Sequence, residues 1–197
     1  MKNKVLKLIA LMSALLIGAS LAACGSSAPQ LSAEELGNKF EQSIYDAVGG
    51  KENAQPALTN NSDFMFLIAQ DPSLLGQEGF TEEELKANFP SYVSMMMDTL
   101  GLKTEDMSAY ALSVNMINIK AYAIAVIRPA EGKEQAVVDA VNQYVANVQK
   151  SFEQYLQDQY EISKTAKVEV QKDGTVVLVM CEDGANVYQK LIENLQK

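Results

Sequence analysis

Polar and apolar positions alternate along Tyr110-Ala111-Leu112-Ser113-Val114, which places Tyr110, Leu112 and Val114 on one face of a strand. Ala121-Tyr122-Ala123-Ile124-Ala125-Val126-Ile127 is apolar on both faces, as a central strand must be, and Asn115 to Asn118 supplies a turn between the two. Three alanines on one face of the second strand leave room for a helix to approach closely. Arg128-Pro129 ends that strand. The period then changes: Val137, Val141, Val145, Val148, Phe152 and Tyr155 recur at helical spacing and predict a helix from Lys133 to Leu156. A helix of that length spans roughly 36 Å. Val168 and Val170 next alternate with Lys167, Glu169 and Gln171, and Asp173-Gly174 is a two-residue hairpin signal into Val176–Cys181. Asp183 is placed to cap a last helix with Tyr188, Leu191, Ile192 and Leu195 as its apolar stripe. The order strand, strand, helix, strand, strand, helix predicts an α+β fold. Its expected form is an antiparallel four-stranded sheet with helices packed mainly on one face, plus an N-terminal helical part.

The N-terminal part starts with a recognisable cap. In Leu31-Ser32-Ala33-Glu34-Glu35-Leu36, Ser32 is the N-cap, Glu35 the returning carboxylate, and Leu31 with Leu36 the hydrophobic staple. The helix should run from Ser32 to Val48 and stop at Gly49-Gly50. Thr81-Glu82-Glu83-Glu84 is a second capping box, with Phe80 and Leu85 as staple. The helix it opens is expected to break near Pro90 and resume through Met97 to Leu100. The pattern of Phe64 to Ala69 fits a strand or a short helix equally. There is no internal repeat or low-complexity block.

Ahead of Ser32 the pattern is of another kind. Lys2, Lys4 and Lys7 precede an uncharged apolar run from Leu8 to Leu21, too short for a spanning helix of ~20 residues. Leu21-Ala22-Ala23-Cys24 directly after it resembles the lipobox of bacterial lipoproteins. That resemblance implies a signal peptide over residues 1–23, diacylglycerol on the Cys24 thiol, and further acylation of the new N-terminus. Gly25-Ser26-Ser27-Ala28-Pro29-Gln30 then reads as a flexible tether, so residues 24–31 form the lipidated Cys and leash, and residues 32–197 one α+β domain. The seven residues from Gly25 to Leu31 reach ~25 Å at most, which keeps the domain close to its membrane.

Charge changes once the leader is gone. It removes three of the 16 cations and no acid, so 13 Lys and Arg face 25 Asp and Glu, a net charge of −12 over 174 residues. Such a surface disfavours nucleic acid and anionic lipid faces, and favours solubility or cationic partners. Cys181 is then the one thiol besides Cys24, so no disulfide can form within the domain. Closing an apolar run, Cys181 reads as a small core residue.

The stretch from Leu100-Gly101-Leu102 through Tyr110 and the run Asn115-Met116-Ile117-Asn118-Ile119-Lys120-Ala121-Tyr122-Ala123-Ile124-Ala125-Val126 resemble a known family. So does Gln154-Tyr155-Leu156-Gln157-Asp158-Gln159-Tyr160-Glu161 with the strands and helix after it. The family is the lipoprotein group catalogued as domain of unknown function forty-three fifty-eight, common in Gram-positive anaerobes. The similarity covers residues 100–195 and the lipoprotein N-terminus. It implies a surface lipoprotein and brings no activity or site residues with it. The segment from Pro56 to Phe80 departs from the family's more compact N-terminal part.

Catalytic chemistry has little to draw on. The chain has no His, which removes the usual serine triad and zinc sites of familiar spacing. No EF-hand loop or phosphate-binding glycine pattern occurs. Glu82-Glu83-Glu84 suits the field at a helix N-terminus better than a calcium site. Met95-Met96-Met97, Met107 and Met116 invite a soft-metal reading, but Met also fills irregular cores and neighbours on a helix point apart. Tyr144, Tyr155 and Tyr160 either line a groove or cap the core with their hydroxyls in water. The expectation is therefore a non-enzymatic envelope lipoprotein on the outer face of the cell membrane. It would carry no catalytic residue, metal or cofactor beyond the lipid on Cys24. Its partners would be the membrane, through that lipid, and an envelope protein or extracellular ligand. The alternatives are a small solute-binding lipoprotein serving a transporter and a carboxylate-dependent hydrolase of envelope polymers.

Overall fold

The computed structural model describes residues 31–62 and 81–197. The capped segment after the tether is α1 (Ala33–Ala47), and a two-residue strand β1 (Leu58–Thr59) follows. Then come α2 (Glu82–Leu100), β2 (Met107–Val114), β3 (Ala123–Pro129), α3 (Glu134–Phe152) and α4 (Gln157–Lys164). The hairpin β4 (Lys167–Val170) and β5 (Val176–Met180) and the helix α5 (Gly184–Leu195) complete the chain. The strands form one sheet in the order β1-β2-β3-β5-β4 with every neighbour antiparallel.

The α+β class and the antiparallel sheet are as expected, with two corrections. The sheet has five strands rather than four, because β1 pairs Leu58 with Leu112 and Thr59 with Ala111 at the outer edge of β2. Two residues are too few to show alternation in the sequence. Helices also cover both faces of the sheet rather than mainly one. Every residue of β5 is buried, as are the first five of β3 and all but one of β2, so neither face can be left to water. Leu112, Ala125, Ile127 and Leu178 meet α2 and α3 through Met96, Leu100, Val141 and Phe152. On the other face Ala111, Ile124, Val126 and Val179 meet α1 and α5 through Phe40, Ile44, Val187 and Leu191.

Local signals hold at most element ends. Ser32 and Thr81 both make complete capping boxes: Glu35 N donates to Ser32 Oγ at 3.2 Å, and Ser32 N to Glu35 Oε2 at 2.8 Å. Leu31 is nonetheless 46% exposed. Phe80 and Phe64 to Ala69 lie outside the described residues.

The break near Pro90 does not occur, since α2 runs unbroken from Glu82 to Leu100. Pro90 and Lys86, whose carbonyl loses its donor, are both exposed residues, so the lost bond falls on the solvent side of the helix, where it costs least. Burial of Leu85 before the proline and of Met96, Met97 and Leu100 after it holds the two halves together. The long helix stops at Phe152 rather than Leu156, and the chain turns into α4, which the apolar pattern did not predict. Only Ser163 of α4 is fully buried, so its apolar stripe is faint. Asp183 occupies the N-cap of α5 in a left-handed conformation (φ 57°), and its carboxylate accepts from the Asn186 side chain rather than a helix amide.

Candidate functional site

Among the described residues, a cleft lies on the second face, at the end of the sheet where α1 begins and α5 ends. α1 starts level with Tyr110 and runs along β2, since a Cβ on Gly37 would stand 3.4 Å from the Tyr110 carbonyl. Further along, the Tyr45 hydroxyl accepts from the Ala57 amide at 3.0 Å. α5 leaves the opposite end of β5 and returns over the sheet, where the Gln171 side chain donates to the Tyr188 hydroxyl at 3.2 Å. The two helices pack against one another and leave a cleft of about 510 Å³ over the end of β3 and the β4–β5 turn. Leu36, Phe40, Ile192 and Leu195 form its apolar wall, and Lys39, Arg128 and Lys172 give it three cations.

Arg128 is fixed in place. Its Nε donates to Thr175 Oγ1 at 3.1 Å, and its Nη2 donates to the same oxygen at 2.8 Å and to Asp173 Oδ2 at 2.5 Å. The Thr175 amide donates to Asp173 Oδ1 at 3.0 Å, so the hairpin turn holds both the carboxylate and the guanidinium. Burial pushes the Asp173 carboxyl up, but hydrogen bonds from the Thr175 amide and hydroxyl and the Arg128 charge outweigh it. The group stays below its ordinary value. Asp173 therefore remains charged at neutral pH and accounts for one of the three cations. Lys39, half-buried, and Lys172, exposed, make no ion pair among the described residues.

Asp173 is the one carboxylate in the lining, already committed to Arg128, so the cleft lacks the facing pair of carboxyls that glycoside hydrolysis uses. A second, more polar cleft of about 290 Å³ lies at the other end of α1 and α5, beside Cys181. Burial, with the charges of Asp183 and Glu182, pushes that thiol up to about 11, which keeps it a thiol rather than a nucleophilic thiolate.

The residues singled out in the sequence fall in different places. Leu21, Ala22, Ala23 and Cys24 lie outside the described residues. Cys181 is buried in the α1–α5 layer, as a core residue should be. Met96, Met97 and Met107 pack in the other layer while Met95 is 50% exposed, so only Met95 of the consecutive methionines points away from the core. Glu84 closes the α2 capping box. Tyr144 is buried, and desolvation pushes its hydroxyl up to about 12. Tyr155 is exposed and exchanges hydrogen bonds with Asn118, at 3.1 Å from its side chain and 3.3 Å to its carbonyl. Tyr160 is half-buried, with the Lys164 ammonium 4.9 Å from its ring centre.

The cleft residues were not legible as a set. Leu36 reads as part of a helix start, Arg128 as a strand end and Asp173 as a turn. One signal was available: Arg128 is the only arginine in the chain.

A family model described as Domain of unknown function (DUF4358) matches residues 82–181. That span runs from α2 through β5, so it contains Arg128, Lys172, Asp173 and Thr175 but neither helical wall of the cleft. No curated protein and no solved structure matches the chain.

Proposed function

The chain belongs to the DUF4358 family, and on that premise we propose that it is a non-catalytic binding lipoprotein, held by Cys24 to the outer face of the cell membrane. The observation that carries this is Leu21-Ala22-Ala23-Cys24, placed between an uncharged apolar run and a short polar linker that leads directly into a capped helix. A single acyl chain anchors weakly, so two or three on Cys24 are needed for a stable hold. No helix among the described residues is long and apolar enough to cross a membrane. The leash joins α1 at Ser32, and Leu36, one turn later, already lines the cleft. Ligand capture thus takes place next to the bilayer.

A second reading, docking of an envelope protein, is favoured by the β2–β3 loop, where Ile117 and Ile119 stand 67% and 63% exposed. Both readings share the anchor, which one experiment tests. Protein extracted from membranes should give an intact mass that begins at Cys24 and carries diacylglycerol, and Cys24→Ala should abolish both cleavage and lipid. A full-length chain with a free Cys24 thiol in the wild type would overturn the proposal.

A further inference from the structure

Taking the cleft between α1 and α5 as a binding site, as the proposed function does, we infer that its ligand is an amphiphilic anion: a phosphate or carboxylate head on a short apolar arm. Cations are scarce in this chain, 16 against 25 acids, yet three of them converge on one cleft that has a single carboxylate. That carboxylate is used in holding Arg128, and Arg128 spends its Nε and Nη2 on Thr175 and Asp173. The Lys39 and Lys172 ammonium groups and the remaining Arg128 nitrogen are left to face an incoming anion. The opposite wall, Leu36, Phe40, Ile192 and Leu195, is apolar. An inorganic anion would leave that wall in water, a purely apolar guest would leave the lysines without a counter-charge, and a cation would be repelled. The volume of about 510 Å³ falls in the range of small-ligand sites.

Both a membrane lipid and a soluble metabolite can present such a head and arm. The test therefore begins with the shared chemistry. The full chain in neutral detergent micelles is titrated calorimetrically with hexyl phosphate, hexanoate, inorganic phosphate and hexylamine. Hexyl phosphate and hexanoate should bind one per chain, with inorganic phosphate roughly tenfold weaker for want of the apolar arm. Hexylamine should not bind. The double variant Lys39→Gln, Lys172→Gln should weaken hexyl phosphate about tenfold without moving the melting temperature, while Lys39→Arg retains it. Leu195→Asp should weaken hexyl phosphate and hexanoate.

Equal binding of hexylamine, no binding of either amphiphile, or an affinity unmoved by the double substitution overturns the inference. Any of these would leave the mass of the lipidated N-terminus, and hence the anchoring proposal, untouched. Two vesicle arms then identify the source. Competition by phosphatidylglycerol but not phosphatidylcholine vesicles supports a lipid headgroup in the cleft. Binding of hexyl phosphate undisturbed by either supports a soluble anion.

Discussion

Among the ionisable side chains whose protons burial holds more tightly, the largest shifts are at Cys181, pushed up to about 11, and at Tyr45 and Tyr144, each pushed up to about 12. Burial is the leading cause in all three, because charge in a low-dielectric layer lacks water to stabilise it. Tyr45 has a second role, since its oxygen accepts from the buried Ala57 amide and its proton goes to Glu41 Oε1 at 3.0 Å. Each folded value lies above the ordinary one, 9.0 for the thiol and 10.0 for the phenols. The unfolded chain therefore releases these protons first. Their contribution is complete below pH 9 and is lost as pH climbs, through about 11 for Cys181 and about 12 for the tyrosines. Urea midpoints should be level from neutral pH to about 9 and fall steeply above about 10. A midpoint at pH 11 equal to that at pH 8 would show that these groups are not buried as described.

At the scale of elements, the end of α2 isolates a single backbone requirement. Gly101 adopts a left-handed conformation (φ 66°), its amide donates to Asp98 O at 3.1 Å, and the Leu102 amide donates to Met97 O at 2.9 Å. A Cβ there would meet only the Ala140 methyl at 3.8 Å, an ordinary contact. Gly101→Ala should therefore cost about 1 kcal/mol, through conformation and not collision, in chemical denaturation. A loss several times larger would mean that α3 sits tighter on this turn than the structure has it. Such ends were legible in the sequence because caps and turns depend on close neighbours: Ser32 with Glu35, Thr81 with Glu84, Asp173 with Gly174. Elements decided by distant contacts were not. β1 exists only because β2 lies beside it, α2 survives Pro90 because its flanks are capped and buried, and α4 has almost no apolar stripe. The cleft failed for the same reason. Leu36, Arg128 and Asp173 are far apart in the chain, and nothing local says that α1 and α5 share the second face of the sheet.

For the molecule as a whole, that second face determines how the domain comes apart. β3 pairs with β2 on one side and β5 on the other, and it alternates Ile124 toward α1 and α5 with Ala125 and Ile127 toward α2 and α3. Neither layer can lose β3 and keep its core, since both helical coats rest on the same backbone ladder. Ile124 and Ile127 are completely buried, so Ile124→Ala or Ile127→Ala should each cost about 2–5 kcal/mol. The distribution of that loss is the informative measurement. If the layers unfold as one cooperative unit, Ile127→Ala will speed exchange of the slowest amides in α1 by the same factor as those in α3, though it touches neither Phe40 nor Ile44. The cleft between α1 and α5 would then be only as stable as the α2–α3 layer behind the sheet. Faster exchange confined to α2 and α3 would show instead that the layer bearing the cleft can stand while the other opens.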